Sequence, residues 1–236
     1  MEAFEQKSEE WYKLKQQDEK LAEKYYYQHL FPEVINRFCQ RSSHLKNYRY
    51  LISLVGFSPQ TSILFIKALN PEKVLFIYSD ESEKHLDEIQ AWTGLKLSQI
   101  EKRRVDSSNV ADVYQAIRDF VAGKDYREIL IDVTGGKKSM VGGASMVGNL
   151  LGIDTGYIDY GRYLPGLRQP EPGSEYPSIL KNPLTVFGDL EIEKTKEAFN
   201  ACNFGRAIEI LKDIEDKVKD VRKVRCLICL LYTSPS

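Results

Sequence analysis

The stretch Ile131-Asp132-Val133-Thr134-Gly135-Gly136-Lys137-Lys138-Ser139-Met140 passes from an apolar run through two glycines into small and apolar residues. This pattern predicts a buried strand, a tight loop and the start of a helix. Two glycines let backbone N–H groups approach an anion closely, and the following helix N-terminus carries partial positive charge. Lys137 and Lys138 add charge, and Thr134 adds a hydroxyl. The loop is therefore predicted to bind phosphate; the alternative is an ordinary turn with exposed lysines.

Two common phosphate-binding motifs do not fit this loop. The Walker pattern G-x-x-x-x-G-K-[ST] needs glycine at position 131 and serine or threonine at position 138, where the chain has Ile131 and Lys138. The dinucleotide pattern G-x-G-x-x-G is met neither at Gly56 nor at Gly135. ATP hydrolysis and NAD chemistry are therefore disfavoured.

Strand and helix patterns alternate around this loop. Apolar runs predict strands at residues 50–55, 73–78, 99–105, 128–133 and 155–160, with a helix after each of the first four. Such alternation predicts an α/β fold, a mostly parallel sheet with helices on both faces. Ligands bind such sheets outside the carboxyl ends of the strands, where the strand order reverses. The loops that qualify are residues 56–61, 79–82 and 134–138.

The segments that flank the alternating strands and helices differ from them in composition. Residues 4–40 lack glycine and predict one helix, or two broken near Phe31-Pro32. Residues 162–182 are rich in proline and glycine and predict an irregular excursion, followed by an edge strand at 184–187. Beyond them, residues 195–202 and 205–224 predict a helical hairpin joined at Asn203-Phe204. The predicted domains are an N-terminal helical segment (1–47), a ligand-sensing domain (48–190) and the start of a helical connector (191–236).

The bulk composition excludes several classes of protein. Lys and Arg total 33 against 34 for Asp and Glu, a formal net charge of -1, which argues against a general DNA-binding or membrane-surface protein. No apolar run approaches the roughly 18 residues of a membrane span. Cys226 and Cys229 have metal-like spacing without a second ligand pair. These features predict a cytoplasmic protein with no metal site and no membrane partner.

Two motifs together resemble a known family. D-x-T-G-G-K-K-x-M opens a small-residue helix at Asp132, and V-G-F-S-P-Q-T ends an earlier strand at Val55. The pair is similar to CARF domains (CRISPR-associated Rossmann fold) over roughly residues 50–190, and the hairpin that follows is similar to the connector of type III CRISPR effectors. The resemblance implies a Rossmann-like fold and a homodimer that binds cyclic oligoadenylate, an RNA second messenger, across its two-fold axis, with no further cofactor.

The resemblance also implies a set of ligand-binding residues. They are Gly56, Phe57, Ser58, Gln60 and Thr61 in the first loop, Ser79 in the second, and Thr134, Gly135, Gly136, Lys137 and Lys138 in the third. The implied function is a sensor that transmits ligand occupancy to a C-terminal effector. One alternative is a ring nuclease that cleaves the messenger, with no catalytic residue assigned; another is a CARF-type transcriptional regulator.

Two further features stay open at this level. Arg37 and His44 match the R-x(4–6)-H spacing of the HEPN ribonucleases that often follow CARF domains, but they precede the first strand and are interpreted as coincidence. Arg162, Tyr163 and Arg168 either close over the ligand or are solvated loop residues.

Overall fold

The computed structural model describes residues 2–167 and 169–233, and the chain forms two compact units, Met1–Leu180 and Lys181–Ser236. The helices of the first unit are α1 (Glu2–Gln17), α2 (Glu19–Tyr25), a π-helix (Tyr26–Leu30), α3 (Phe31–Arg41), α4 (Pro59–Leu69), α5 (Leu86–Thr93), α6 (Val110–Val121) and α7 (Lys138–Leu151). Its strands are β1 (Tyr50–Leu54), β2 (Lys73–Tyr78), β3 (Ile100–Arg104), β4 (Ile129–Asp132), β5 (Asp154–Tyr160), β6 (Tyr163–Leu164), β7 (Gln169–Pro170) and β8 (Glu175–Leu180). Short 3₁₀ turns occupy Glu83–His85, Leu97–Gln99 and Tyr126–Glu128.

The predicted α/β, Rossmann-like architecture is confirmed. Six strands form one sheet in the order β3-β2-β1-β4-β5-β8, in which the first five are parallel and β8 runs antiparallel to β5. The chain builds outward from β1 to β3 and then returns to place β4 on the other side of β1. The strand order therefore reverses between β1 and β4, and their carboxyl ends define the expected ligand edge.

Each face of the sheet carries its own hydrophobic core. Leu51 of β1 packs among residues of α3 and α4, including Phe38 and Phe65. The next residue, Ile52, faces the opposite core with Ile117 of α6 and Val147 of α7. Successive side chains of a strand point to opposite faces, so a strand covered on both sides must be apolar throughout. This explains why the first strands read as continuous apolar runs.

The N-terminal helical segment changes helix type at the predicted Phe31-Pro32 position and is also interrupted earlier in the chain. The interruption falls at Asp18, whose carboxylate accepts hydrogen bonds from the N–H groups of Lys20 (2.9 Å) and Leu21 (3.1 Å) and so caps α2. Pro32 lies in the first turn of α3 and has no N–H to donate to the preceding turn, and the wider π-helix precedes it there. The chain enters α3 through the π-helix without a gap.

The predictions for residues 162–187 are wrong in two respects. The excursion is not wholly irregular, because β8 pairs with β5 and the short strands β6 and β7 form a hairpin. Pro177 is accommodated because β8 is the last strand of the sheet. Residues 184–187 form a helix, α8 (Pro183–Phe187), instead of an edge strand. Asn182 accepts a hydrogen bond from the Leu184 N–H (2.9 Å), and Pro183 follows it, the residue types that start helices.

The second unit is helical. It contains α8, α9 (Asp189–Asn200), α10 (Phe204–Ile214) and α11 (Val221–Thr233), around a core that includes Ile192, Leu211 and Val224. The hairpin joined at Asn203 is confirmed, although α10 ends at Ile214 and a separate helix follows. None of the described helices is long and apolar enough to cross a membrane. The domain limits drawn from the sequence stay a prediction.

Candidate functional site

The loops after β1 and β4 touch backbone to backbone at the reversal point. A β-carbon on Gly56 would lie 2.6 Å from the backbone nitrogen of Gly136, and one on Gly135 would overlap the carbonyl oxygen of Leu54. Gly136 itself has a φ of 82°, a conformation that favours glycine. The loops can lie this close only because these positions carry no side chains.

Two uncapped helix N-termini open at this edge. Ser58 precedes α4 and Lys137 precedes α7, and neither side chain accepts a hydrogen bond from the first turn. Elsewhere in the described chain, α2, α6, α8 and α10 have such a cap, from Asp18, Asn109, Asn182 and Asn203, whereas α3, α5 and α9 also begin without one. Unpaired N–H groups together with the helix dipole attract anions. The two helices beside the touching loops are therefore suited to bind phosphate.

Thr134 is held by its neighbours through both its backbone N–H and its hydroxyl group. Its N–H donates to Asp132 Oδ1 (2.9 Å), and its Oγ1 accepts from the Ile158 N–H of β5 (2.9 Å). The Thr134 side chain also forms a hydrogen bond with the Asp132 carboxylate, so both its backbone and its hydroxyl are engaged within the fold. The Asp132 carboxylate thus shapes the turn on which Thr134 sits.

Asp132 is fully buried and belongs to a polar chain beneath the loop. Ser53 Oγ donates to Asp132 Oδ2 (3.0 Å), and Ser62 Oγ lies 2.8 Å from Ser53 Oγ. Burial, partly offset by hydrogen bonds from Thr134 and Ser53, raises the pKa of Asp132 to about 6. The carboxyl group that holds the loop thus titrates near neutral pH.

The two lysines differ in their surroundings. Lys137 Nζ lies 3.3 Å from Glu81 Oε1, and both side chains are about half exposed. The exposed Lys138 ammonium has no ion-pair or hydrogen-bond partner anywhere in residues 2–167 and 169–233. Ser79 is buried, and its hydroxyl donates to Glu81 Oε2 (2.6 Å). This hydrogen bond is the largest cause of the lowered pKa of Glu81, and Lys137 contributes less. Ser79 therefore supports the glutamate instead of facing solvent.

The first loop is held by the N-terminal helical segment. Gln60 Nε2 donates to the hydroxyl of Tyr27 (2.6 Å). Tyr27 lies in the π-helix, and its ring packs against Trp92. Burial and a hydrogen bond to Glu88 hold the pKa of Tyr27 far above its ordinary value. Thr61 Oγ1 donates to the carbonyl of Ser58 (3.0 Å), while Phe57 is 68% exposed. Segments far apart in sequence thus position Gln60, a contact that no local motif indicates.

A cavity of about 440 Å³ adjoins the loops. Of the predicted residues it brings together Ser58, Gln60, Thr61 and Thr134. The other predicted residues do not line it: Gly56, Phe57, Ser79, Gly135, Gly136, Lys137 and Lys138. Its remaining walls include residues that sequence reasoning missed: Trp11, Tyr26, Tyr160, Pro170, Pro172 and Glu175. Tyr160 ends β5, so the strand-end rule could have found it. The others come from helices and from the excursion, and the sequence carries no signal for them.

The remaining predicted residues take no shared role. Arg162 forms an ion pair with Glu171 (3.4 Å), and the Tyr163 ring lies 5.6 Å from that of Tyr160; Arg168 lies outside the described residues. Arg37 pairs with Glu33 and its guanidinium stands over the Phe4 ring, whereas His44 is exposed. No group of three or more His, Cys, Asp or Glu side chains suited to a metal occurs within the described ranges.

A mostly parallel sheet with an anion-accepting edge at its reversal point defines a Rossmann-like ligand-binding domain. Residues 51–145 match the family model of the Card1 CARF domain. The chain is 26% identical over 161 residues to the CRISPR system endoribonuclease Csm6 of Thermus thermophilus, an alignment that covers 66% of this chain and 34% of that protein. Over this segment the chain resembles the CARF domains of type III CRISPR systems.

A solved structure shares the fold. Enterococcus italicus Csm6 bound to cyclic hexa-2'-fluoro-hexa-dAMP aligns with a TM-score of 0.53 at 10% identity, over 79% of this chain and 55% of that one. Can2 from Sulfobacillus thermosulfidooxidans in complex with cyclic tetra-adenylate aligns with a TM-score of 0.44 at 15% identity, over 76% of this chain and 57% of that one. The chain spans about a third of the length of the curated relative it matches.

Proposed function

We propose that the chain is a sensor that binds cyclic oligoadenylate at the carboxyl edge of its sheet. The observation that carries the proposal is the pair of uncapped helix N-termini, α4 and α7, which flank loops joined at Gly56 and Gly135. Lys138 adds an unpaired positive charge beside them. The Enterococcus italicus Csm6 structure has a cyclic adenylate analogue bound, so the fold accommodates such a ring in that protein.

The sensor acts as a homodimer, with α7 at the interface. Five exposed apolar side chains, here called the α7 patch, lie on α7 and on the two strands at one edge of the sheet: Met146 and Leu150 of α7, Tyr157 of β5, and Tyr176 and Leu180 of β8. Exposed apolar surface of this kind marks protein–protein contacts. Since α7 begins at the phosphate loop, pairing two copies through this patch brings two sets of loops to one ring that carries several phosphates.

The dimer is tested by charging the patch. Leu150→Glu places a carboxylate in the interface, and we expect the variant to sediment as a monomer and to lose ring binding. Leu97→Glu is the matched control, because Leu97 is 75% exposed and lies beside β3 at the other edge of the sheet; it should behave as the wild type. Pairing through the α7 patch is contradicted if the Leu150→Glu variant stays dimeric. It is also contradicted if the wild type is a monomer with the ring bound.

Ring binding itself is tested by calorimetry with cyclic tetra-adenylate and cyclic hexa-adenylate. We expect one ring for two chains. Lys138→Ala should weaken binding by roughly tenfold, because it removes a charge-assisted contact, and the affinity of the wild type should fall with salt. Lys194→Ala removes a likewise exposed lysine in α9 and serves as the control. The proposal is wrong if neither ring binds at tens of micromolar protein.

The same samples separate a sensor from a ring nuclease. If the bound ring is cleaved, chromatography of the calorimeter contents will show linear products that accumulate with time. A sensor without that activity returns the ring intact. In either case we propose that the helical residues 191–236 carry the signal of occupancy to an effector, as a connector.

A further inference from the structure

We infer that the 440 Å³ cavity beside the loops is a base-binding subsite, which takes one adenine of the ring and reads its exocyclic amine with Glu175. This inference rests on the proposed function and adds to it how the base is recognised. The cavity is within the size range of small-molecule sites. All of its lining residues belong to one copy of the chain, so each subunit of a dimer carries a complete subsite.

The position of the cavity fits a base attached to a bound phosphate. Ser58, Thr61 and Thr134 line it, and these residues belong to the two phosphate loops themselves. A nucleotide whose phosphate contacts the N-termini of α4 and α7 therefore has the cavity within reach of its base. Trp11 and Tyr26 of the N-terminal helical segment form part of its apolar wall, and aromatic and apolar walls accept the flat faces of bases.

Glu175 supplies a buried carboxylate oxygen that lacks a partner within the described residues. Its Oε2 is buried and accepts no hydrogen bond within the part of the chain that the structure describes. A buried acceptor without a donor is unfavourable, so a ligand that brings a donor is stabilised there. Burial also raises the pKa of Glu175, partly offset by backbone hydrogen bonds and by Arg41, as expected for a carboxylate that lacks sufficient donors.

The chemistry of the base follows from that acceptor. Adenine presents its N6 amine as a donor, whereas a base with a carbonyl oxygen at position 6 presents an acceptor there. An ionised carboxylate accepts from the amine and repels the carbonyl oxygen. Hypoxanthine, the base of inosine, differs from adenine at this position and at the adjacent ring nitrogen, so a cyclic inosinate is the probe of the contact.

The experiment measures binding of cyclic tetra-adenylate and cyclic tetra-inosinate, at slightly alkaline pH, to the wild type and to two variants. The wild type should prefer the adenylate by roughly tenfold or more, because the inosinate leaves two acceptors facing each other. Glu175→Gln keeps the shape, and its amide can turn either its oxygen or its nitrogen to the ligand. That variant should bind both rings with similar affinity. Glu175→Ala should weaken adenylate binding and lose the preference.

The outcomes separate this inference from the function on which it rests. Adenylate binding by the wild type with a preference that Glu175→Gln and Glu175→Ala both retain overturns the base subsite and leaves the sensor intact. Absence of binding of both cyclic tetra-adenylate and cyclic hexa-adenylate by the wild type overturns both; if only the hexamer binds, the comparison uses the hexameric adenylate and inosinate. Equal binding of the two rings by Glu175→Gln, against a clear preference in the wild type, supports the subsite, and it also shows that the variant is folded.

Discussion

Gly135→Ala is expected to abolish ring binding and to destabilise the protein by roughly 1–3 kcal/mol, the usual range for forced overpacking. The added methyl group would overlap the carbonyl oxygen of Leu54, a backbone atom that cannot rotate away as a side chain can. Relief requires the loop after β4 to move away from the end of β1, which separates the two helix N-termini. Thermal unfolding and calorimetry with cyclic tetra-adenylate measure the two effects.

Gly205→Ala provides the control for Gly135→Ala. Gly205 lies in α10, a β-carbon added to it would meet no atom within 4 Å, and its φ is not positive. Alanine favours a helix over glycine by up to about 1 kcal/mol, so this variant should be as stable as the wild type or slightly more stable, with binding unchanged. If Gly135→Ala matches this control in both measurements, the backbone contact between the loops is not needed for the site.

Asp132→Asn is expected to stabilise the protein at neutral pH and to have little effect in acid. The pKa of Asp132 is about 6 in the folded state against an ordinary value of 3.8, so between these values the folded state binds more protons than the unfolded state. Stability from this group is therefore present below about pH 4 and is lost as the pH rises through about 6. The difference of about two pKa units corresponds to a loss of about 3 kcal/mol in the free energy of unfolding above about pH 6.

The amide can take over the contacts of the carboxylate. Its oxygen accepts from the Thr134 N–H, and its nitrogen can donate to Ser53, since the hydroxyl can turn to donate to Ser62 instead. Denaturant unfolding from pH 4 to 7 should show the gap between Asp132→Asn and the wild type widening with pH. A gap that stays constant over this range contradicts a raised pKa for Asp132.

Asp125→Asn tests the opposite case, a carboxyl group whose pKa is lowered in the folded state. A hydrogen bond from the Arg127 side chain, above other causes, lowers the pKa of Asp125 to about 2. Its contribution to stability is therefore present above about pH 4 and is lost as the pH falls towards 2. This variant should be slightly less stable than the wild type at neutral pH and should converge with it in strong acid, as denaturant unfolding over that range would show.

The parts of the fold that could be predicted from sequence are those specified by local patterns. The apolar runs at β1, β2 and β4 are long enough to require burial on both faces, and this predicted a parallel sheet. The excursion was misjudged because β8 is an edge strand that accommodates Pro177, so its residues lack an apolar run. The segment 184–187 was misjudged because its β-branched residues suggested a strand, whereas the cap at Asn182 starts a helix.

The sequence by itself predicted the loop after β4, since glycines, a helix start and lysines within one short segment are typical of a backbone that attracts anions. Only the tertiary structure decided what this loop faces. Trp11, Gln60 and Glu175 come from three distant segments and meet around one cavity, and the burial that leaves Glu175 without a partner exists only once β8 joins the sheet. Contacts between distant segments depend on how the whole chain packs, and no local pattern encodes them.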